Sequence, residues 1–177
     1  MEAKTRRDRR PATGSPDSGP TGRATVAFLW GLLGVVLLFA TAVVRLGARA
    51  LETVSAGLGP WEWVALVALT AAFVYGEGVR ALQRRWVPWV IQRLRMLHHE
   101  PRAWYRALAP LHAMAFIGAR PRAMAAAWAG SLAIVLAVLV VSRFPAPWRG
   151  IVDFAVASAL LWATLVLIVT GVRAARD

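Results

Sequence analysis

The sequence predicts an all-α, polytopic membrane protein with four transmembrane helices and an amphipathic or re-entrant helical insert between the second and third. Three observations carry that expectation. Apolar residues make up 58% of the 177 positions and are gathered into long blocks. The blocks reach the roughly 18–20 residues that cross a hydrocarbon layer about 30 Å thick at about 1.5 Å per residue. Arginine is also distributed unevenly, crowding some connectors and nearly missing from others, which is the mark of a chain threaded through a bilayer.

The segment 1–23 is rich in Arg, Pro, Gly, Ser and Thr and has almost nothing apolar, so it is expected to be a disordered tail. Thr5-Arg6-Arg7 raises a twin-arginine signal, but Asp8 and Arg9 stand where apolar residues belong. The first block, 24–44, is longer than a cleavable secretory core, so it reads as an uncleaved anchor rather than a signal cut after Ala50. It ends at Arg45, and a short loop holding Arg49, Glu52, Gly57, Gly59 and Pro60 follows. The second span is placed at 61–81, running on through Arg84. The third, 123–142, contains no charge at all. Pro145 and Pro147 force a turn before the fourth span, 151–172. A short tail, 173–177, closes the chain.

The 83–122 insert is too apolar for a solvated loop. Val87, Val90, Ile91, Leu94 and Leu97 share one helical face, with Arg85, Gln92, Arg95 and His99 opposite. Such a helix suits the headgroup region, and Arg85, Arg93, Arg95, Arg102 and Arg106 form its lipid-facing basic set. Residues 107–118, polar only at His112, are too short to span and read as an interfacial or shallow re-entrant helix.

Seventeen of the 21 Lys and Arg fall in the N-tail, the 80–122 segment and the C-tail, against four in the two remaining loops. With four spans, the positive-inside rule puts both termini in the cytoplasm of a bacterial inner membrane. Trp61, Trp63 and Trp148 then stand at outer interfaces, where aromatic anchors belong. Packing is expected through small-residue stripes: Ala68, Ala72 and Gly76 on the second span, Ala129, Ala133 and Ala137 on the third, and Ala155, Ala159 and Ala163 on the fourth. The third and fourth spans are expected to form a close antiparallel pair.

Chemistry is sparsely encoded. The chain has no cysteine, which excludes disulfides, thiolate catalysis and Cys-ligated metal. Glu77 and Arg80, three apart with Gln83 and Arg84 following, read as an ion pair at the headgroup boundary, or as an ion or proton site if Glu77 faces a water path. Asp153 is expected in the first turn of the fourth span, where the helix dipole favours an anion, with Arg149 as partner beside Trp148. His98, His99 and His112 do not converge on one metal by spacing, and no span contains a histidine for haem. Neither a cofactor nor a metal is expected, and no catalytic constellation is visible.

Three stretches, Tyr75-Gly76-Glu77-Gly78-Val79-Arg80-Ala81-Leu82-Gln83, Ala109-Pro110-Leu111-His112-Ala113-Met114 and Pro147-Trp148-Arg149-Gly150-Ile151-Val152-Asp153, resemble an uncharacterised family of small integral membrane proteins of bacteria, cyanobacteria included, with relatives in plastid-bearing lineages. The resemblance covers about residues 60–172. It implies a shared membrane fold, gives Glu77, Arg80, Gln83, Arg149 and Asp153 weight as a set, and implies no activity. Ala155 and Ala159 stand where such relatives carry more glycine. The expected role is a non-enzymatic scaffold, assembly or accessory subunit that binds anionic phospholipid and other membrane proteins or a second copy, not nucleic acid. The alternative is a small oligomeric transporter or ion-conducting protein with Glu77 and Arg80 at its inner mouth.

Overall fold

A computed structural model describes residues 20–96, 104 and 107–176. The expectations for residues 1–19, and for Leu97, His98, His99, Glu100, Arg102 and Arg106, lie outside these residues. The described residues are helical without a strand. Four helical stretches are long and apolar enough to cross a membrane: Thr25–Ser55, Pro60–Met96, Pro121–Val141 and Trp148–Ala175. This is a multi-pass membrane architecture.

Helix α1 runs Pro20–Ser55, 36 residues without interruption. The expected loop after Arg45 is therefore helix. Charge at Arg45 and Arg49 marks where the hydrocarbon ends, but no proline intervenes to end the helix. The break comes where backbone chemistry demands it: Gly57, at φ 93°, adopts the left-handed conformation that costs glycine least. The next helix starts with Pro60 at its first turn, and the Glu62 carboxylate accepts the Gly59 N–H at 2.6 Å.

The second span has three parts in one unbroken run: α2 (Pro60–Phe73), a π-helical segment (Val74–Trp86) and α3 (Val87–Met96). The widened turns end beside Pro88, which has no N–H to donate back along the helix. At the boundary the Val87 N–H already reaches five residues back, to the Leu82 carbonyl. The π register thus carries the chain past a proline that a regular helix would meet with a kink. The amphipathic helix of the insert is therefore a continuation of the second span.

Helix α3 has the two-sided character its spacing predicts, with a different partner. Val87, Val90, Ile91 and Leu94 are buried, whereas Gln92 and Arg95 are exposed. The buried face packs on protein rather than lipid: Phe28, Leu32 and Val35 of α1, with Ala109 and Ala113, complete its cluster. The stretch expected as a 12-residue interfacial helix shortens to α4, Ala109–Ala113, because Ala115 at φ 62° and Gly118 at φ 63° turn the chain sharply. Glycines 31 and 34 admit this element. A Cβ on Gly31 would strike Leu94, and one on Gly34 would strike Pro110.

Helix α5 (Pro121–Val141) and helix α6 (Trp148–Arg176) complete the chain. Helix α6 is the centre of the bundle. Ile151, Ala155, Ala159, Ala163, Leu167 and Gly171 form a four-residue-spaced row that is buried throughout. Gly171 abuts Leu32 of α1, and Gly150 abuts Thr53 near the other end, so α1 and α6 run antiparallel along most of their length. Gly78 lies beside Ala159 and Trp162, and Arg95 reaches Ala174, so the second span runs parallel to α6.

Two of the three small-residue stripes do not pack within the chain. Ala68 and Ala72 are exposed, and so are Ala129, Ala133 and Ala137. The expected α5–α6 pair does not form: α5 has no buried residue and no sustained contact with another helix among the described residues. Apart from Ala133 and Ala137, its upper half, Leu132 to Val140, is bulky and aliphatic. Lipid tails solvate such a surface as well as a neighbouring helix does, so nothing draws α5 inward.

Candidate functional site

The polar residues fall into three groups along the bundle. At the end where α1 begins and α6 finishes, arginine is used to bind backbone. Arg93 donates through Nε to the His112 carbonyl at 2.8 Å and through Nη2 to the carbonyls of Ile117 and Gly118 at 3.3 and 3.4 Å. Its guanidinium also stands 5.2 Å from the Trp89 ring centroid. Arg93 therefore ties the 112–118 turn to α3 and is not free to meet a headgroup as expected. Arg95 donates to the Ala174 carbonyl at 3.3 Å, where the last carbonyls of α6 favour a cation. Trp30 of α1 donates its indole N–H to the Ala107 carbonyl at 3.0 Å. Arg85 is exposed and has no hydrogen bond or ion pair among the described residues.

The second group is the π-helical segment. A π turn rotates successive side chains by less than an α turn does, so the Glu77–Arg84 series does not keep the spacing assumed for it. Gln83 faces α6, where its Oε1 accepts the Trp162 indole N–H at 2.9 Å, and Gly78 is buried against Ala159 and Trp162. Glu77, Arg80 and Arg84 are exposed, and none of them makes an ion pair among the described residues. The expected Glu77–Arg80 bridge is absent. The motif is thus divided: its glycine and glutamine serve helix packing, and its charges project from the bundle.

The third group lies at the opposite end. There the extension of α1 beyond the apolar block brings Arg49, Glu52 and Thr53 against Arg149, Gly150 and Asp153 of α6. They enclose a polar cavity of about 360 Å³. Asp153 is only 6% exposed, and its Oδ2 has no hydrogen-bond partner among the described residues. Arg149 and Arg49 act on the carboxylate through space without touching it. Arg149 instead donates to the Ser142 carbonyl at 3.4 Å. Because α6 begins at Trp148 rather than 151, Asp153 sits in the second turn, so the helix-end reading is corrected to a buried carboxylate facing α1. Trp148 is exposed at the start of the helix, as Trp61 and Trp63 are in the first turn of α2.

Sequence reasoning missed Arg49, Glu52 and Thr53 as partners of Asp153, because it placed them in a loop. It also missed the contact of Gly78 with Trp162, which stands three residues beyond Ala159 of the α6 alanine row. Among the described residues no cluster of His, Asp and Glu has the arrangement of a metal site. No family model, curated protein or solved structure matches the chain.

Proposed function

We propose that the chain is a non-enzymatic accessory or scaffold subunit of a bacterial cytoplasmic membrane, with both termini in the cytoplasm. The observation that carries this reading is α5: a span of 21 residues, none of them buried, that stands beside its own bundle without packing into it. A chain that stabilised only itself has no need of this span. Its Ala129, Ala133 and Ala137 stripe is exposed and lets a second backbone approach closely, so another membrane protein or a second copy is the expected partner. The excess of arginine at the α3–α4 end supports a cytoplasmic placement and contact with anionic phospholipid.

Mild-detergent purification of the tagged full-length chain tests this reading, with Ala133→Leu as the paired variant. Discrete co-purifying partners or a defined oligomer, lost in the variant while the monomer stays folded, support it. A solitary monomer that is unchanged by the variant overturns it.

A second reading, a small oligomeric ion-conducting protein, rests on the π-helical segment. Such segments recur at functional sites, and this one projects Glu77 and Arg80 outward, where an oligomer could enclose them. Proton or solute flux in proteoliposomes that falls in Glu77→Gln supports it, and flux at background in both chains removes it.

A further inference from the structure

Between α5 and the bundle lies a cavity of about 590 Å³ that no packing fills. Its bundle wall is aromatic: Phe39 and Trp86, stacked with centroids 5.2 Å apart, and Trp89. Its other wall is the small-residue face of α5, from Ala123 through Ala127 and Gly130 to Ile134. These positions repeat at three- and four-residue intervals and so form one helical face. A Cβ built on Gly130 meets nothing, so the space beside it is open. The floor is the turn at Met114–Phe116, and Phe116 meets Trp128 edge-on at 5.1 Å. The single charged residue on the wall is Arg85, which has no partner among the described residues.

We propose that this groove is a binding site for an anionic phospholipid, with an acyl chain between α5 and the aromatic wall and the phosphate on Arg85. Three features support that occupant. The volume lies within the roughly 300–1,000 Å³ typical of ligand pockets, and the lining has the usual character, mostly apolar with Arg85 and Ser131 as its polar residues. The length fits one leaflet. Ala123 to Ile134 rises about 16 Å at about 1.5 Å per residue, against about 15 Å for half of a hydrocarbon layer roughly 30 Å thick. The wall carries a single charged residue, Arg85, and a guanidinium pairs well with phosphate. A second copy's helix would need a groove open along the whole of α5, whereas this one is confined to the half nearest Arg85. The site rests on the proposed contact between the basic end and anionic lipid and adds a defined place for it.

The test uses the full-length protein in mild detergent with phosphatidylglycerol carrying a diazirine on one acyl chain, and phosphatidylcholine with the same chain. After irradiation, adducts are mapped by peptide mass spectrometry. The proposal expects adducts concentrated on the peptides containing Trp86, Trp89, Met114 and Ala123–Ile134. Gly130→Leu, which fills the groove in a helix without sustained contact with another helix, removes them. Arg85→Gln lowers the preference for phosphatidylglycerol over phosphatidylcholine roughly five-fold, the value of one cation near an anionic surface. Adducts spread evenly over the exposed faces of α2 and α5, or unaffected by Gly130→Leu, overturn the groove. So does a cross-linked dimer joined through this face that excludes the probe. Native mass spectrometry on the same samples separates the two levels. Phosphatidylglycerol retained elsewhere without groove adducts removes the groove alone, whereas no preference for it anywhere removes the underlying contact as well.

Discussion

Helices α5 and α6 are neighbours in sequence, separated only by residues 142–147, and both are long, alanine-rich and apolar. Their fates differ. In α6, 44% of the most apolar window is buried against α1 and the second span; in α5 none is. The difference is in where the small residues stand. Helix α6 places Ala155, Ala159, Ala163 and Gly171 on one row, each meeting a complementary surface: Leu32 beside Gly171, and Gly78 beside Ala159. Helix α5 has most of its alanines in the lower half, and Ala133 and Ala137 stand among bulky aliphatic residues in the upper half. In lipid, apolarity confers no preference for a helix over a tail, so only close backbone approach and hydrogen bonds select neighbours. Hydropathy therefore identifies both helices as spans and cannot say which of them packs.

The sharpest way to break this comparison is to put the same side chain into both rows. Ala159→Leu should cost about 1–3 kcal/mol by overpacking against Gly78 and the second span, and Ala133→Leu on α5 should stay within about 0.5 kcal/mol in the monomer. Thermal midpoints in one detergent measure both, and equal losses would mean that α5 packs as closely as α6. Next in size is Arg93→Met. Losing hydrogen bonds from a charged donor to three carbonyls is expected to cost about 1.5–3 kcal/mol. Hydrogen exchange should rise across residues 112–118 and leave α2 protected. Next is Asp153→Ala, which leaves Arg49 and Arg149 on one cavity without the carboxylate that acts on them through space. A loss of about 1–2 kcal/mol is expected, and an unchanged midpoint would show that the carboxylate does nothing to hold α1 to α6. Smaller again is Gln83→Ala, which removes the acceptor of the Trp162 indole N–H. About 0.5–1.5 kcal/mol is expected, with a shift in indole fluorescence reporting the lost contact. The smallest is Glu77→Gln, within about 0.5 kcal/mol, because an exposed carboxylate without an ion pair has little to lose.

The polar residues repeat the lesson at finer scale. The 87, 90, 91, 94 spacing correctly separated the two faces of α3, because alternation reports which side avoids water. It could not separate lipid from protein as the covering, since both are apolar. The glycines that decided the matter, Gly31 and Gly34, lie more than fifty residues away in α1 and read as ordinary small residues there. Likewise Asp153 was legible as an unusual carboxylate at the end of a span, but its partners were not, because the end of the apolar block at Arg45 was taken for the end of the helix. In the Glu77–Gln83 stretch spacing was counted on an α-helix, whereas the chain winds as a π-helix to pass Pro88.

Local properties of the chain determined its helices, their number and their length in the bilayer, because apolar runs, prolines and glycines act within a few residues of themselves. Tertiary structure alone decided which apolar faces meet, that α1 and α6 close over Asp153, and that α5 stands apart with a groove beside it. Those outcomes depend on the fit between surfaces far apart in sequence, and in a medium as apolar as the helices themselves fit is what distinguishes one neighbour from another.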